Sequence, residues 1–346
     1  MMISRCPPPA GPLAATIRTA AAIRVMICGL LACLALPLAA TAQHREPDSV
    51  IALWPDGAVP GSQTLDGRLE EVIVERSEDP GTIRDRYVAG ITRPRLLVFR
   101  PETPNGTALL MLPGGGYQRV VLDKEGIESA ERFNAAGITV FILIYRLPAE
   151  GHENGADVPL QDTQRAMRLI RAMAEDYDID PGRTGVIGFS AGGHLAGSIA
   201  TRFDAEVYPA HDSADTLGAR PDFAALIYPV TRMEGPAIHE GSRDRLIGAY
   251  PAPEMVAVHD IAAAARADAP PLFLLHAADD TSVPVANSLD VFDAFTAQGV
   301  PVDMHVFSEG GHGFGIRYTE GLPVAVWPDL VIGWMEGGGF LPEMPD

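Results

Sequence analysis

The sequence predicts an α/β fold in which a mostly parallel central sheet carries helices on both faces. Short apolar runs rich in β-branched residues recur along the chain, and helical patterns bounded by glycine and proline separate them. That alternation of elements is typical of a parallel sheet. The 346 residues are 47% hydrophobic and 21% charged, which is enough apolar material for one large core. We expect residues 43–346 to form a single domain.

The first 42 residues differ from the rest and are interpreted as a signal peptide. Arginines precede the apolar run VMICGLLACLALPLAA, which closes on the small-residue site Ala40–Ala42. We expect a mature chain that begins near Gln43 and is secreted or periplasmic. A retained membrane anchor and a lipoprotein attached at Cys33 are the alternatives. The apolar run is shorter than the roughly 20 residues of a spanning helix, and it continues past Cys33.

The charge and the cysteine content of the sequence disfavour several classes of partner and cofactor. Acidic residues outnumber basic ones, 45 to 26, for a net charge of −19, which disfavours nucleic acid and anionic membranes as partners. All three cysteines lie in the signal segment, so we expect no disulfide and no cysteine metal site in the mature chain. Because the sequence contains neither an H-E-x-x-H nor a G-x-x-x-x-G-K pattern, we expect no metal and no cofactor.

Beyond the signal segment, the first fifty residues predict edge strands and turns, with LWPDGAVPG as a proline- and glycine-rich loop. Seven further strands are expected: RLLVF (95–99), ALLML (108–112), ITVFILIY (138–145), TGVIGF (184–189), FAALIYP (223–229), PLFLLHA (271–277) and VDMHVF (302–307). Between the third and fourth of these, apolar and small side chains recur at steps of three and four residues, which predicts a helix with one buried stripe. The stripe consists of Leu160, Thr163, Met167, Ile170 and Met173.

The stretch TGVIGFSAGGHLAGSIA, residues 184–200, places a serine between a predicted strand and a predicted helix. Its centre, GFSAG, fits the G-x-S-x-G pattern of a nucleophile on a sharp strand-to-helix turn. Such a turn strains the serine backbone, and glycines on both sides remove Cβ atoms that would clash with the strand and the helix. Ser190 is therefore the predicted nucleophile, exposed at the carboxyl edge of the sheet.

A serine nucleophile needs a histidine base and an acid that orients the base. With this kind of serine turn, both follow the serine along the chain, in loops after later strands. Asp279 and Asp280 follow PLFLLHA, and His312 lies in the glycine-rich loop SEGGHGFG after VDMHVF. We predict that His312 is the base and that one of the two aspartates is the acid.

The reaction also needs donors for a developing oxyanion. Ala191 follows the nucleophile directly, and the loop PGGGYQRV follows the strand ALLML with bare N–H groups at Gly115 and Gly116. This loop precedes a helix expected to begin near Lys124, and it reaches the same sheet edge as the serine. Gly115, Gly116 and Ala191 are the predicted oxyanion hole.

Taken together, these motifs resemble those of the α/β-hydrolase superfamily, and within it a secreted bacterial branch of acetyl-esterase and acetylxylan-esterase-like enzymes. The resemblance runs from LWPDGAVPG to WMEGGGF and is carried by PGGGYQRV, DKEG, IYRLP, the serine turn, LLHAADDTSVPVANS and FSEGGHGFG. One departure from the broader esterase pattern is Pro113, where a histidine commonly precedes the glycines. The resemblance implies an α/β-hydrolase fold without a large lid domain and a preference for acetyl esters.

The choice between the two aspartates rests on the local sequence and on the resemblance. Val283-Pro284 predicts the start of the next helix, with Thr281 or Ser282 available as its cap. In the resembling enzymes, the pattern D-x-x-V-P places the acid three residues before the valine. We therefore predict Asp280 as the acid and expect Asp279 to face solvent or to brace the loop by hydrogen bonds.

These observations predict a secreted serine carboxylesterase that removes short acyl groups from carbohydrate esters such as acetylated xylan. Its partner would be a small-molecule, oligosaccharide or polysaccharide ester. A serine peptidase and a short-chain lipase-like esterase are alternatives on the same fold. No span could form the extra domain that restricts access in such peptidases, and no long apolar insertion follows IYRLP. A non-catalytic binding protein that keeps the hydrolase scaffold is the third alternative.

Overall fold

Two β-sheets organise the described residues, 45–65 and 67–342 of the computed structural model. In chain order the strands are β1 (Ser49–Ala52), β2 (Val72–Glu75), β3 (Arg86–Ala89), β4 (Arg95–Phe99), β5 (Ala108–Leu112), β6 (Val120–Val121), β7 (Thr139–Ile144), β8 (Thr184–Phe189), β9 (Ala224–Ile227), β10 (Leu272–Ala277) and β11 (Val302–Phe307). The α-helices are α1 (Glu128–Asn134), α2 (Val158–Ala172), α3 (Ala191–Arg202), α4 (Glu240–Ile247), α5 (Pro253–His259), α6 (Ala286–Ala297) and α7 (Trp327–Gly337).

The larger sheet contains eight strands in the order β1-β4-β7-β5-β8-β9-β10-β11. Strand β4 runs antiparallel to both of its neighbours, β1 and β7, and every other neighbouring pair is parallel. The seven strands predicted from the apolar runs coincide with β4, β5 and β7 to β11 to within two residues at each end. The predicted mostly parallel sheet is therefore confirmed.

The burial of the strands explains why they could be predicted from the sequence. Strands β5, β7 and β8, in the middle of the sheet, are buried at every position, because helices α1, α2 and α3 pack against them. Parallel strands covered in this way read as continuous apolar runs. Strands β1 and β11, at the two edges, include exposed residues.

Helix α2 confirms the predicted helical stripe. Leu160, Thr163, Met167 and Ile170 are buried along one side of it, and Met173 lies just beyond its last residue. The helix expected near Lys124 begins with a π-helical turn over Asp123–Ile127 and continues as α1. That turn follows directly on the loop predicted to bind the oxyanion.

The strands expected in the first fifty residues after the signal segment include β2 and β3, but their pairing with β6 in a smaller sheet was not predicted. This smaller sheet is antiparallel, in the order β2-β3-β6, and its strands are short, with β2 largely exposed. Strand β6 comes four residues after Gly116, and the amide of Val121 donates to the carbonyl of Gly114 at 3.0 Å. The small sheet therefore holds the far end of the glycine loop against the body of the protein.

The predicted start of the helix after β10 was wrong. Helix α6 begins at Ala286, and its N-cap, Val285, makes no side-chain capping bond. The Asp280 carboxylate accepts the amides of Ser282 and Val283 in a turn that precedes the helix, and the helical hydrogen bonds begin only after Pro284. Neither Thr281 nor Ser282 is the cap of this helix.

The longest connection between neighbouring strands of the large sheet runs from residue 228 to residue 271, between β9 and β10, and contains α4 and α5. No large lid domain is present in the described residues. None of the helices in these ranges combines the length and apolar character that a membrane span requires. The predicted signal peptide, residues 1–42, lies outside the described residues.

Candidate active site

Ser190 lies between the end of β8 and the start of α3, with φ 54° and ψ −119°. Positive φ is strained for a residue with a side chain, so the turn must be held by its surroundings. A Cβ atom added at Gly188 would lie 2.0 Å from the carbonyl oxygen of Gly192, and one added at Gly192 would lie 2.0 Å from that of Leu112. Both glycines are therefore required by close backbone approach, as the sequence pattern predicted.

The structure brings Ser190, His312 and Asp280 into one chain of hydrogen bonds. Ser190 Oγ lies 2.8 Å from His312 Nε2, and His312 Nδ1 lies 2.6 Å from Asp280 Oδ2. Because a carboxylate accepts only, Nδ1 carries the hydrogen and donates it, which leaves Nε2 free to accept the serine proton. The three side chains are thus arranged for proton transfer away from the serine hydroxyl.

Asp280 is buried, with 5% of its surface exposed. Its Oδ1 accepts the amides of Ser282 and Val283 at 2.9 and 2.8 Å, and His276 Nε2 lies 3.3 Å from its Oδ2. Burial alone would raise the pKa of Asp280, but the hydrogen bonds from His276, His312 and the Val283 amide, with the charge of His312, outweigh it and hold that pKa well below its usual range. Asp280 is therefore a carboxylate throughout the pH range in which a histidine titrates.

Asp279 is exposed and does not contact His312. Its Oδ1 accepts the amide of Gly311 at 2.8 Å. This bond ties the loop after β10 to the loop that carries His312. The structure thus places Asp279 in a bracing contact and Asp280 against the imidazole.

The three predicted oxyanion donors lie close to the serine. Gly115 and Gly116 line the same cleft as Ser190 and His312, and Ala191 is the first residue of α3, where an amide has no acceptor within the helix. The amide of Gly114 is already used, because it donates to Glu125 Oε2 at 2.8 Å. The available donors of the glycine loop are therefore the two amides that follow it.

Glu125 is a functional candidate that the sequence analysis did not single out. It is 3% exposed, and besides the Gly114 amide it accepts the Tyr228 hydroxyl on Oε1 at 3.1 Å. Tyr228 in turn accepts the amide of Gly315 at 3.3 Å, and its ring meets the His312 ring edge to face at 5.2 Å. One buried carboxylate therefore connects the oxyanion loop with the loop of the base. Its only sequence signal was its place in the DKEG motif.

Tyr117 and His194 form a second link that the sequence analysis did not assign. Tyr117, in the glycine loop, is buried with φ 55°, and its hydroxyl lies 2.7 Å from His194 Nδ1. His194 Nε2 lies 2.7 Å from the carbonyl of His259, so Nε2 donates and Nδ1 accepts. Burial lowers the pKa of His194 to about 4, which keeps the ring neutral. The pair joins the oxyanion loop to the helix that follows the nucleophile.

The open side of the site is a cleft of about 350 Å³. His239, at the N-terminus of α4, and Arg245 line it from the connection between β9 and β10. The amide of Ser242 donates to His239 Nδ1 at 3.2 Å, so the hydrogen of this ring is on Nε2. Burial first, and then the charges of His312 and Arg245, lower the pKa of His239. His239 is therefore a neutral histidine beside the catalytic one.

Across residues 45–65 and 67–342, no three histidine, cysteine, aspartate or glutamate side chains are grouped so that they could hold a metal ion. The histidines near the site have other partners. His276, for example, lies 2.7 Å from Ser288 Oγ and 2.8 Å from the carbonyl of Val283. Its Nε2 also lies 3.3 Å from Asp280 Oδ2, so His276 supports the acid.

The sequence profile of the BD-FAE family matches residues 98–295, a range that includes Ser190 and Asp280 and ends before His312. An acetylxylan esterase of Xylanibacter ruminicola is 32% identical over 225 residues, which are 64% of this chain and 44% of that protein. An endo-1,4-β-xylanase B of Butyrivibrio fibrisolvens is 34% identical over 212 residues, or 61% and 33% of the two chains. The chain spans less than half the length of either curated relative.

Two solved structures show the same fold. The acetyl ester-xyloside bifunctional hydrolase from Caldicellulosiruptor lactoaceticus is 32% identical and superposes with a TM-score of 0.68, over 86% of this chain and 98% of that one. The carboxylesterase Cest-2923 from Lactobacillus plantarum is 20% identical, with a TM-score of 0.60 over 80% and 99% of the two chains. The second likeness bears on the fold alone.

Proposed function

The chain belongs to the BD-FAE family of α/β hydrolases, and from this premise we propose that it is a serine esterase that removes short acyl groups, acetyl above all, from carbohydrate esters such as acetylated xylan. The family match and the similarity to the Caldicellulosiruptor hydrolase confirm the predicted resemblance to acetyl-esterase-like α/β hydrolases. The observation that carries the proposal is the hydrogen-bonded chain from Ser190 through His312 to Asp280 at a strained turn.

In the acylation half of the proposed reaction, Ser190 Oγ attacks the ester carbonyl while His312 Nε2 takes the hydroxyl proton. The carbonyl π electrons move to oxygen, and the amides of Gly115, Gly116 and Ala191 donate to the resulting oxyanion. Asp280 stabilises the imidazolium that forms. When the tetrahedral intermediate collapses, the bond to the sugar oxygen breaks and His312 returns its proton to that oxygen. An acyl-serine and a free sugar hydroxyl result.

Deacylation repeats the same steps with water. His312 Nε2 removes a proton from a water molecule as it attacks the acyl-serine carbonyl, and the same oxyanion donors stabilise the second intermediate. Collapse breaks the bond to Ser190 Oγ, which regains a proton from His312. The products are the free acid and the original enzyme. The chemistry needs no group beyond those in the described residues.

The preference for short acyl groups and for carbohydrate is the finer part of the proposal. A cleft of about 350 Å³, with no large lid domain over it in the part of the chain that the structure describes, suits a small acyl group better than a long chain, which needs a covered apolar tunnel. The printed names of the Xylanibacter, Butyrivibrio and Caldicellulosiruptor relatives refer to acetylxylan, xylan and acetyl ester-xyloside substrates. These names support acetylated xylan as the first substrate to test.

Export is also proposed. It rests on the arginines, the apolar run and the small-residue site of residues 1–42. Sequencing the N-terminus of the protein purified from its native host tests it. A start near Gln43 in a secreted or periplasmic fraction is expected, whereas an intact Met1 in the cytoplasm would contradict it.

Incubation with acetylated xylan, with assays for both acetate and reducing sugar, tests the proposed activity. We expect acetate without new reducing ends, and no acetate from the Ser190→Ala chain. Ser213→Ala, a serine replacement at an exposed position outside the cleft, is the matched control and should release acetate normally. Release of reducing sugar without acetate would mean that the protein is a xylanase and not an esterase.

A further inference from the structure

The cleft beside Ser190 is rich in cationic side chains. Four of them line it: Arg76, Arg119, Lys124 and Arg245. Among the described residues that line it, Glu125 is the one acid, and it is 3% exposed with both carboxylate oxygens in hydrogen bonds to Gly114 and Tyr228. The charge that a ligand in this cleft would meet is therefore positive.

This concentration is opposite to the charge of the chain, which carries 45 acidic and 26 basic residues. Elsewhere the arginines are typically paired, as in Arg146 with Asp162 and Arg266 with Asp204. In the cleft, Arg76 pairs with Asp85. For Arg119, Lys124 and Arg245, no carboxylate partner occurs within the described residues. In so acidic a protein, three cations without counter-charges beside one nucleophile are an arrangement that an anionic ligand would complete.

Neutral contacts hold these three cations in place. The Arg119 guanidinium lies 5.2 Å from the Tyr87 ring, and the Lys124 ammonium 5.5 Å from the Tyr318 ring. Arg245 Nη1 donates to the carbonyl of Gly241 at 2.6 Å. Aromatic faces and a carbonyl orient a cation without neutralising its charge. The positive field is thus retained in a cleft with protein walls, where it is screened less than on an open surface.

We propose that the substrate of this site is a saccharide ester that also carries a carboxylate, as a uronate-bearing oligosaccharide does, and that Arg119, Lys124 and Arg245 bind that carboxylate. The inference rests on the proposed esterase function and names its substrate class. Two of the three cations are guanidinium groups, whose planar forks match the geometry of a carboxylate. The carboxylate belongs to the sugar part, because the acyl carbonyl has to reach Ser190 and the oxyanion amides.

Binding to the full-length Ser190→Ala chain tests the proposal without turnover. Calorimetric titrations would compare neutral xylotriose with xylotriose bearing one glucuronate branch, at about 10 mM and about 500 mM salt. We expect the branched sugar to bind at least tenfold more tightly at low salt, with the ratio of the two dissociation constants shrinking at high salt. Equal binding of the two sugars at low salt would overturn the proposal. Trigalacturonate as a third probe tells a backbone carboxylate from a branch carboxylate.

Variants that remove single charges test which side chains cause the preference for the charged sugar. Lys124→Gln and Arg245→Gln, each added to Ser190→Ala, should lower the ratio of dissociation constants several-fold. Arg93→Gln is the matched control, since it removes the same charge from an exposed arginine outside the cleft and should leave the ratio unchanged. An equal fall in all three variants would mean that net charge, and not this cleft, attracts the ligand. Circular dichroism checks that each variant is folded. If a charge variant fails to fold, the salt dependence of binding by the Ser190→Ala chain still tests the proposal.

The two proposals fail in different ways. Hydrolysis of a neutral aryl acetate by the unaltered chain tests the esterase function alone. If acetate is released but the charged and neutral sugars bind equally, the esterase stands and the carboxylate inference is wrong. If the charged sugar binds preferentially but no ester is cleaved, the carboxylate site stands and the esterase proposal is wrong.

Discussion

Asp280 and Glu125 are two buried carboxylates on either side of Ser190, 5% and 3% exposed, and they differ in what their second oxygen contacts. One oxygen of each binds a loop at the carboxyl edge of the sheet: that of Asp280 accepts two backbone amides, and that of Glu125 accepts one. The other oxygen of Asp280 contacts the His312 imidazole, whereas that of Glu125 accepts the hydroxyl of Tyr228.

The difference teaches that similar burial can serve two purposes. Asp280 touches a ring that changes its charge during the proposed reaction, so its own charge stabilises the imidazolium. Glu125 touches only groups that stay neutral, so it positions the oxyanion loop and takes no part in proton transfer. Removing the charge should therefore be far more damaging at Asp280 than at Glu125.

Replacing the nucleophile should give the lowest esterase activity of all the variants compared. In Ser190→Ala, esterase activity should fall by at least about 10⁴-fold, because the attacking oxygen is lost while little packing is removed. The rate on a short-chain aryl ester, with circular dichroism to confirm folding, is the measurement. No carboxylate variant should be slower than this one, and wild-type-like turnover in Ser190→Ala would contradict the assignment.

Charge removal at the two neighbouring aspartates comes next in size. Asp280→Asn should lose on the order of a thousandfold or more in kcat, since the imidazole loses its orientation and its imidazolium partner. Asp279→Asn is the matched control and should stay within a few-fold of the parent, because it loses one exposed bond to the Gly311 amide. The assignment of the acid is wrong if the two variants exchange these phenotypes.

Glu125→Gln should have a smaller effect, about tenfold to a hundredfold in kcat/KM. The amide oxygen still accepts from Gly114, but the amide nitrogen cannot accept the Tyr228 hydroxyl. The loop is therefore displaced slightly, and the oxyanion donors are misaligned. The pH profile of the variant should keep its shape, because Glu125 does not touch His312. Loss as severe as in Asp280→Asn, together with a shifted pH profile, would place Glu125 in the proton path instead.

The smallest effect is expected for His239, and it concerns the acid limb of the pH profile, that is, the fall in activity at low pH. Activity should fall as pH drops through the histidine range, about pH 5 to 8, because only neutral His312 accepts the serine proton. The lowered pKa of Asp280 keeps that carboxylate ionised below this range, and burial lowers the pKa of His239, which favours its neutral ring. His239→Gln should therefore retain the limb. A limb that disappears in His239→Gln would reassign the titrating base.

Most of the fold and the triad could be predicted because their signals are local. Strands such as β5 and β8 are unbroken apolar runs, and the turn at Ser190 requires glycines at fixed offsets. Family resemblance then favoured Asp280 over its neighbour. These features depend on residues a few positions apart, so the sequence displays them directly.

The remaining features depend on contacts between distant parts of the chain. Glu125 and Tyr228 are 103 residues apart, and Tyr117 and His194 are 77 apart, so no local pattern marks them. The cationic cleft draws on the glycine loop, the π-helical turn and α4. The predicted start of α6 was wrong by three residues, since the helix begins at Ala286 and not at Val283.

The central claim is that Ser190 is an activated nucleophile, and covalent labelling tests it most directly. The full-length chain would be incubated with a fluorophosphonate, followed by intact-mass measurement, peptide mapping and residual esterase assay. The account predicts one adduct per chain, on the peptide that contains Ser190, with activity lost in proportion to labelling and no adduct on Ser190→Ala. An adduct on another residue, or full activity in a fully labelled chain, would contradict it.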